Sequence, residues 1–172
     1  VDEMNMTKPD LSFPPAHTLI AAADSGYLNI SDCRALADGM IERLPKPPLW
    51  VIDLSLAQSV TDLWRLLEDR YWHGQAEAGD VISIDDLKLG FSLMVFKNGR
   101  IGLADVLQKC ALIVDGGMSD FAPETFYALL NELEAGAKVE DITHALTGKL
   151  APCEALAMES FKQLQQLMGS CE

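Results

Sequence analysis

The sequence predicts an all-α fold, a compact multi-helix bundle or orthogonal array of about eight helices, and three observations carry that expectation. Apolar residues recur at three- and four-residue intervals along most of the 172-residue chain. Gly and Pro interrupt that periodicity at short intervals, so the links are short. Two-residue alternation appears only over 49–56. A hydrophobic fraction of 49% with 23% charged residues is that of a globular chain. At this length a core forms without disulfide staples. The expected organisation is a polar, flexible tail over 1–13 and a single helical domain over 14–172.

Pro14 and Pro15 stiffen the entry to a first short helix, rich in Leu, Ile and Ala, that ends near Gly26. Ser31 ahead of Asp32, with Leu36, Met40, Ile41 and Leu44 at helical spacing, predicts a capped second helix that Pro45, Pro47 and Pro48 terminate. The run 49–56 alternates, so it reads as a turn or short extended stretch. Ser59 with Leu63, Leu66 and Leu67 predicts a helix over 59–71, followed by a loop from Gly74 to Gly79. Ser83 or Ile84 opens the next helix, which runs to Phe96 before Asn98 and Gly99. Further helices are expected over about 102–115, 122–135, 138–147 and 152–168, with Pro123 and Pro152 in first turns and Gly116, Gly136 and Gly148 at ends.

One pattern recurs. Gly26, Gly79 and Gly99 each precede an apolar residue by two positions and Asp32, Asp85 and Asp105 by six. That is the phase of a calcium-binding EF-hand loop, yet most positions that would precede the glycine as oxygen ligands are Ala, Gly, Met or Phe. The favoured reading is structural: glycine closes one helix, and aspartate lies at the positive end of the next.

Chemistry is thinly signalled. His17, His73 and His144 stand far apart, and no HExxH, CxxC, Walker loop, GxGxxG or GxSxG is present. Glu140 and His144 share a helix face, the common arrangement of a solvated pair. No cofactor is expected, and no catalytic or metal-binding residues are assigned. Cys33 and Cys110 fall in apolar helical patterns, as small core residues do. Four widely spaced cysteines with no CxxC pair and the lack of a long apolar run point to a cytoplasmic setting and no membrane partner, while the even count leaves an oxidised pair open.

Charge says more. The net charge is −13 and the pI about 4.5, which repels nucleic acid and attracts basic partners. Between Lys109 and Lys138 there is no cation, while Asp115, Asp120, Glu124, Glu132 and Glu134 accumulate. A second acid-only stretch between Arg70 and Lys88 carries Glu77, Asp80, Asp85 and Asp86. These two stretches are the candidate partner-binding surface, because unopposed carboxylates steer Arg and Lys of a partner. Tyr71 and Trp72, in the predicted loop beside them, are the candidate aromatic anchors, whereas Trp64 belongs to the apolar pattern of Leu63 and Leu67.

Gly26–Ser31 followed by Pro47–Leu56 resembles small bacterial helical proteins encoded beside toxins, including immunity proteins of polymorphic-toxin systems. The resemblance covers about residues 20–70. It implies a non-enzymatic cytoplasmic inhibitor that binds a cognate toxin, and it transfers no binding residues. In this stretch the prolines stop a helix, Trp50 and Ile52 turn inward, and Asp53 or Ser55 caps the next helix. The expected function is therefore an acidic binding domain for a basic protein. The alternatives are a helical adaptor or chaperone that takes a peptide in an apolar groove, or an enzyme or metal protein with its site assembled across helices.

Overall fold

The computed structural model describes residues 15–47, 49–77, 83–117 and 119–168, and side chains within them except at 15, 69–77 and 167. The 1–13 tail, Asp80 and Cys171 lie outside the described residues. Among those described there are eight helices and no strand: α1 (Pro15–Asp24), α2 (Ile30–Arg43), α3 (Leu49–Leu56), α4 (Val60–Glu77), α5 (Ile84–Lys97), α6 (Leu103–Val114), α7 (Pro123–Glu134) and α8 (Val139–Met168). The all-α expectation holds. None of these helices is long and apolar enough to cross a membrane.

Two apolar clusters make up the core, and α5 and α8 belong to both. One gathers Leu19 and Ile20 of α1, Met40 of α2, Leu54 of α3, Leu63 and Leu67 of α4, and the C-terminal half of α8. The other gathers Val106, Leu107 and Cys110 of α6, Phe126 of α7, and Ile142, Leu146 and Leu150 of α8. Helix α5 gives Leu87 and Phe91 to the first and Leu89 and Leu93 to the second. A helix apolar on nearly all sides is a buried helix. Each of these side chains contributes roughly 1.5–3 kcal/mol on burial, which fixes α5 as the axis of the fold.

The recurring glycine pattern is a helix-to-helix turn in the two described copies. Gly26 and Gly99 take φ of 79° and 71°. After α5 the amide of Gly99 donates to the Phe96 carbonyl and that of Arg100 to Val95, closing the helix in a Schellman turn. After α1 the cap is Gly26 to Ala23, with Leu28 donating to Ala22. Asn29 then caps α2 reciprocally with Asp32, at 2.8 and 2.9 Å. The N-cap is thus Asn29, two residues before the Ser31 expected.

Three boundaries differ from expectation. The alternating 49–56 run is helix α3, which buries Trp50, Val51 and Leu54 at helical spacing and leaves Ile52 37% exposed, so Ile52 does not turn inward. Neither Asp53 nor Ser55 caps α4: Ser59 Oγ accepts from the Asp62 amide, and the Asp62 carboxylate accepts from the Gln58 amide. Helix α4 continues to Glu77, so Tyr71 and Trp72 sit on a helix and not in a loop. Helix α8 runs unbroken through Pro152, where two helices were expected. The ring removes one backbone bond. Its helix persists because Leu146, Leu150, Cys153, Ala157 and Leu164 keep one continuous buried face across it.

Candidate acidic interface

Two acid-rich stretches that lie apart in sequence meet at the N-terminal end of α5. Ser83 caps that helix, its Oγ accepting from the Asp86 amide at 3.4 Å, and Asp85 and Asp86 occupy the first turn. Acids at this end are stabilised by the unsatisfied amides there. The link from α6 to α7 passes over them. A Cβ built on Gly117 would come within 2.5 Å of an Asp85 carboxylate oxygen and 2.9 Å of the Ile113 carbonyl; the carboxylate could swing aside but the backbone oxygen could not, so the close approach favours glycine. From the same link Ser119 Oγ donates to Asp86 at 3.1 Å.

The result is a concentration of negative charge. Burial pushes the Asp86 carboxyl above its ordinary range, the Ser119 hydroxyl pulls it back, and Asp120 and Asp85 push it further up. Asp86 therefore senses both stretches at once, which the sequence treats as separate regions.

Each acid named from the sequence has a definite place. Asp85 and Asp86 are half-buried and Asp120 exposed at this junction. Asp115 is exposed and is the C-cap residue of α6; Glu124 is exposed in the first turn of α7. Glu132 and Glu134 are exposed at the far end of α7, about 12–15 Å along its axis from Glu124 at 1.5 Å per residue, so they are not part of the junction. Glu77, Tyr71 and Trp72 belong to α4 with side chains outside the described residues, as is Asp80 altogether.

A second polar network has no counterpart in the sequence reading. Asp24, the last residue of α1, accepts the indole N–H of Trp64 at 3.0 and 3.1 Å and pairs with Lys88 at 3.2 Å. The Lys88 ammonium also lies 5.7 Å from the Trp64 ring centroid, within cation–π range. Lys109 donates to the Ser25 carbonyl, and burial lowers its pKa. These contacts tie α1 to α4, α5 and α6, and make a structural clamp.

Among the described residues the cysteines and His17 lie in the interior. Cys33, Cys110 and Cys153 are free and buried, and burial pushes their thiols up to about 12, 12 and 11. They remain protonated at neutral pH, which removes them as nucleophiles. His17 is fully buried on α1, with its pKa lowered to about 4 by desolvation, while His144 is exposed on α8. Among the described residues no three His, Cys, Asp or Glu side chains converge as a metal site.

A cleft of about 320 Å³ opens between α2 and α8, lined by Leu28, Leu36, Phe161 and Met168 with Asp32 and Gln165. The signal for it was in the sequence as the apolar positions of α2 and α8, but their juxtaposition depends on the helix packing. No protein family, curated protein or solved structure matches the chain.

Proposed function

We propose that this is a non-enzymatic acidic binding protein that neutralises a basic protein partner, in the manner of the bacterial toxin-neutralising immunity proteins that residues 20–70 resemble. The observation that carries the reading is the junction where Asp85 and Asp86 meet Asp120 and Ser119. One face thereby combines acids from two stretches that contain no Lys or Arg. Such a face attracts Arg and Lys over distances of about a Debye length, raising encounter rate and selectivity more than final affinity. Free buried thiols fit a reducing compartment such as the cytoplasm.

The test is recovery of the partner on the tagged full chain from its native host, at low and high salt. A stoichiometric basic protein is expected, retained at low salt and lost at high salt. Simultaneous Asp85→Lys, Asp120→Lys and Glu124→Lys substitution is expected to weaken capture at least tenfold; unchanged capture by that variant rejects the surface. The cleft between α2 and α8 supports a second reading, a helical adaptor that holds an apolar peptide. Salt separates the two, since binding in an apolar cleft is insensitive to screening.

A further inference from the structure

The walls of the cleft between α2 and α8 are fixed from behind. Phe161 of α8 meets Tyr27 and Phe91 edge to face, with centroids 5.2 and 6.3 Å away and interplanar angles of 88°, so its ring is held where it lines the cleft. Arg43 of α2 ties the two helices at one end, its Nε donating to the Gly39 carbonyl at 2.9 Å and a terminal nitrogen to the Met168 carbonyl. That guanidinium is committed to the backbone.

The other end is acidic. Asp32 is the one ionisable side chain in the lining, and its Oδ2 accepts from the Asn29 amide in the cap of α2, which fixes the carboxylate. Among the described residues no Lys or Arg pairs with it. Between the two ends Gly39 keeps the α2 wall low. It stands inside the helix without a positive φ, and a Cβ built on it meets nothing within 4 Å. Neither a turn nor a close approach requires glycine there, and glycine inside a helix is destabilising relative to alanine. Its effect is to keep the opening clear. At about 320 Å³ the cleft falls at the lower end of the roughly 300–1,000 Å³ typical of small-ligand sites.

We infer that this cleft binds a small apolar ammonium compound, its hydrocarbon body between Leu36 and Phe161 and its cation on the Asp32 carboxylate, with the Gln165 side-chain oxygen as a second acceptor. A neutral ligand would cover part of the Asp32 charge without replacing its hydration, and an anion would face that charge directly. A peptide would need a trough longer than the two turns of α2, about 10 Å, between Asp32 and Gly39. The inference stands apart from the basic-partner reading and uses none of the residues of the acidic junction.

Phenethylammonium is the probe, with benzyl alcohol and phenylacetate as neutral and anionic counterparts, each titrated into the full chain carrying isotope-labelled methionine methyls. The Met168 signal, assigned through Met168→Leu, is expected to shift with a dissociation constant of about 1 mM for the ammonium, at least about threefold weaker for the alcohol and about tenfold weaker for the anion. Asp32→Asn keeps an oxygen for the Asn29 amide and is expected to weaken ammonium binding about threefold, the scale of an exposed charge pair, and to abolish the preference over the alcohol. Gly39→Leu places a side chain in the opening and is expected to weaken binding at least about tenfold with the melting temperature unchanged or raised. No Met168 shift up to about 20 mM ammonium overturns the inference. Equal binding of the three probes overturns it too, as does binding that persists in Gly39→Leu or is undiminished in Asp32→Asn. A Met168 shift with a neutral apolar peptide, where the ammonium gives none, overturns it in favour of the peptide as occupant.

Discussion

Gly90 of α5 lies directly against the Cys153 carbonyl of α8: a Cβ built on Gly90 would stand 2.1 Å from that oxygen and 2.8 Å from the Ala157 methyl. The two helices that share both halves of the core thus touch backbone to side-chain-free backbone. The contact falls one residue after Pro152, within the buried face that carries α8 past its proline.

Gly90→Ala is therefore expected to separate α5 from α8 and to cost about 3 kcal/mol, at the upper end of the range for overpacking. Gly39→Ala on α2 is the control, since nothing lies within 4 Å of its added methyl and its backbone is helical. That change is expected to stabilise by about 0.5–1 kcal/mol through reduced chain entropy. Urea denaturation of the two variants checks the opposite signs.

His17 gives the fold a defined acid sensitivity. Its folded pKa of about 4 lies below the ordinary 6.5, so the unfolded chain binds the extra proton first as pH falls. The contribution is fully present above about 6.5 and is lost as pH drops through 6.5 towards 4, with on the order of 2 kcal/mol gone by pH 5. His17→Leu is expected to flatten this slope while leaving the steeper carboxylate losses below pH 4. Urea midpoints measured between pH 7 and pH 4.5, in wild type and variant, read it directly.

The fold was legible where local chemistry and periodicity agree. Helices α5, α6 and α7 fall within a residue or two of their expected limits, because Ser83, Gly99, Pro123 and Gly136 sit where caps and first turns require them. The misreadings have physical causes. In 49–56, apolar residues on every side of a short helix imitate alternation, so Leu49 and Ile52 obscure the period set by Trp50, Val51 and Leu54. At Gly148 and Pro152 the local preference for a break is overridden by the unbroken buried face of α8. The acids were visible as two charge runs, but their union was not: Gly117 passing over Asp85 is a tertiary contact with no local signature. The Asp24 clamp was hidden for the same reason, since Trp64 and Asp24 are forty residues apart.

Breaking that clamp at its centre should do more harm than breaking it at one edge. Asp24→Ala removes the acceptor of the Trp64 indole and the partner of Lys88, and leaves half-buried ammonium charge behind. The expected cost is about 2 kcal/mol, below that of a fully buried pair because the Lys88 and Asp24 side chains remain 21% and 23% exposed. Lys88→Met is expected to cost less, as Asp24 still holds the indole, and the double variant to cost less than the sum. A thermodynamic cycle by chemical denaturation, with Trp64 emission as a local probe, measures both differences.

At Asp86 stability and binding are expected to part company. Its folded pKa is raised above the ordinary 3.8, chiefly by burial, with Asp120 and Asp85 adding to it. The folded chain therefore binds its proton more readily than the unfolded chain, and stability falls as pH rises through the window between the ordinary and the raised value. At neutral pH the penalty is fully present; below 3.8 it is absent. Asp86→Asn keeps an oxygen to accept from Ser119 and removes the charge, so at pH 7 it is expected to raise the melting temperature, with the gain vanishing towards pH 3.5. The same substitution should weaken capture of a basic partner, because the carboxylate disfavoured by burial and by its acidic neighbours is the one the partner would neutralise. Melting curves at pH 7 and 3.5 beside partner titrations at pH 7 decide the matter: a variant more stable yet equally competent in binding would assign Asp86 to the fold alone.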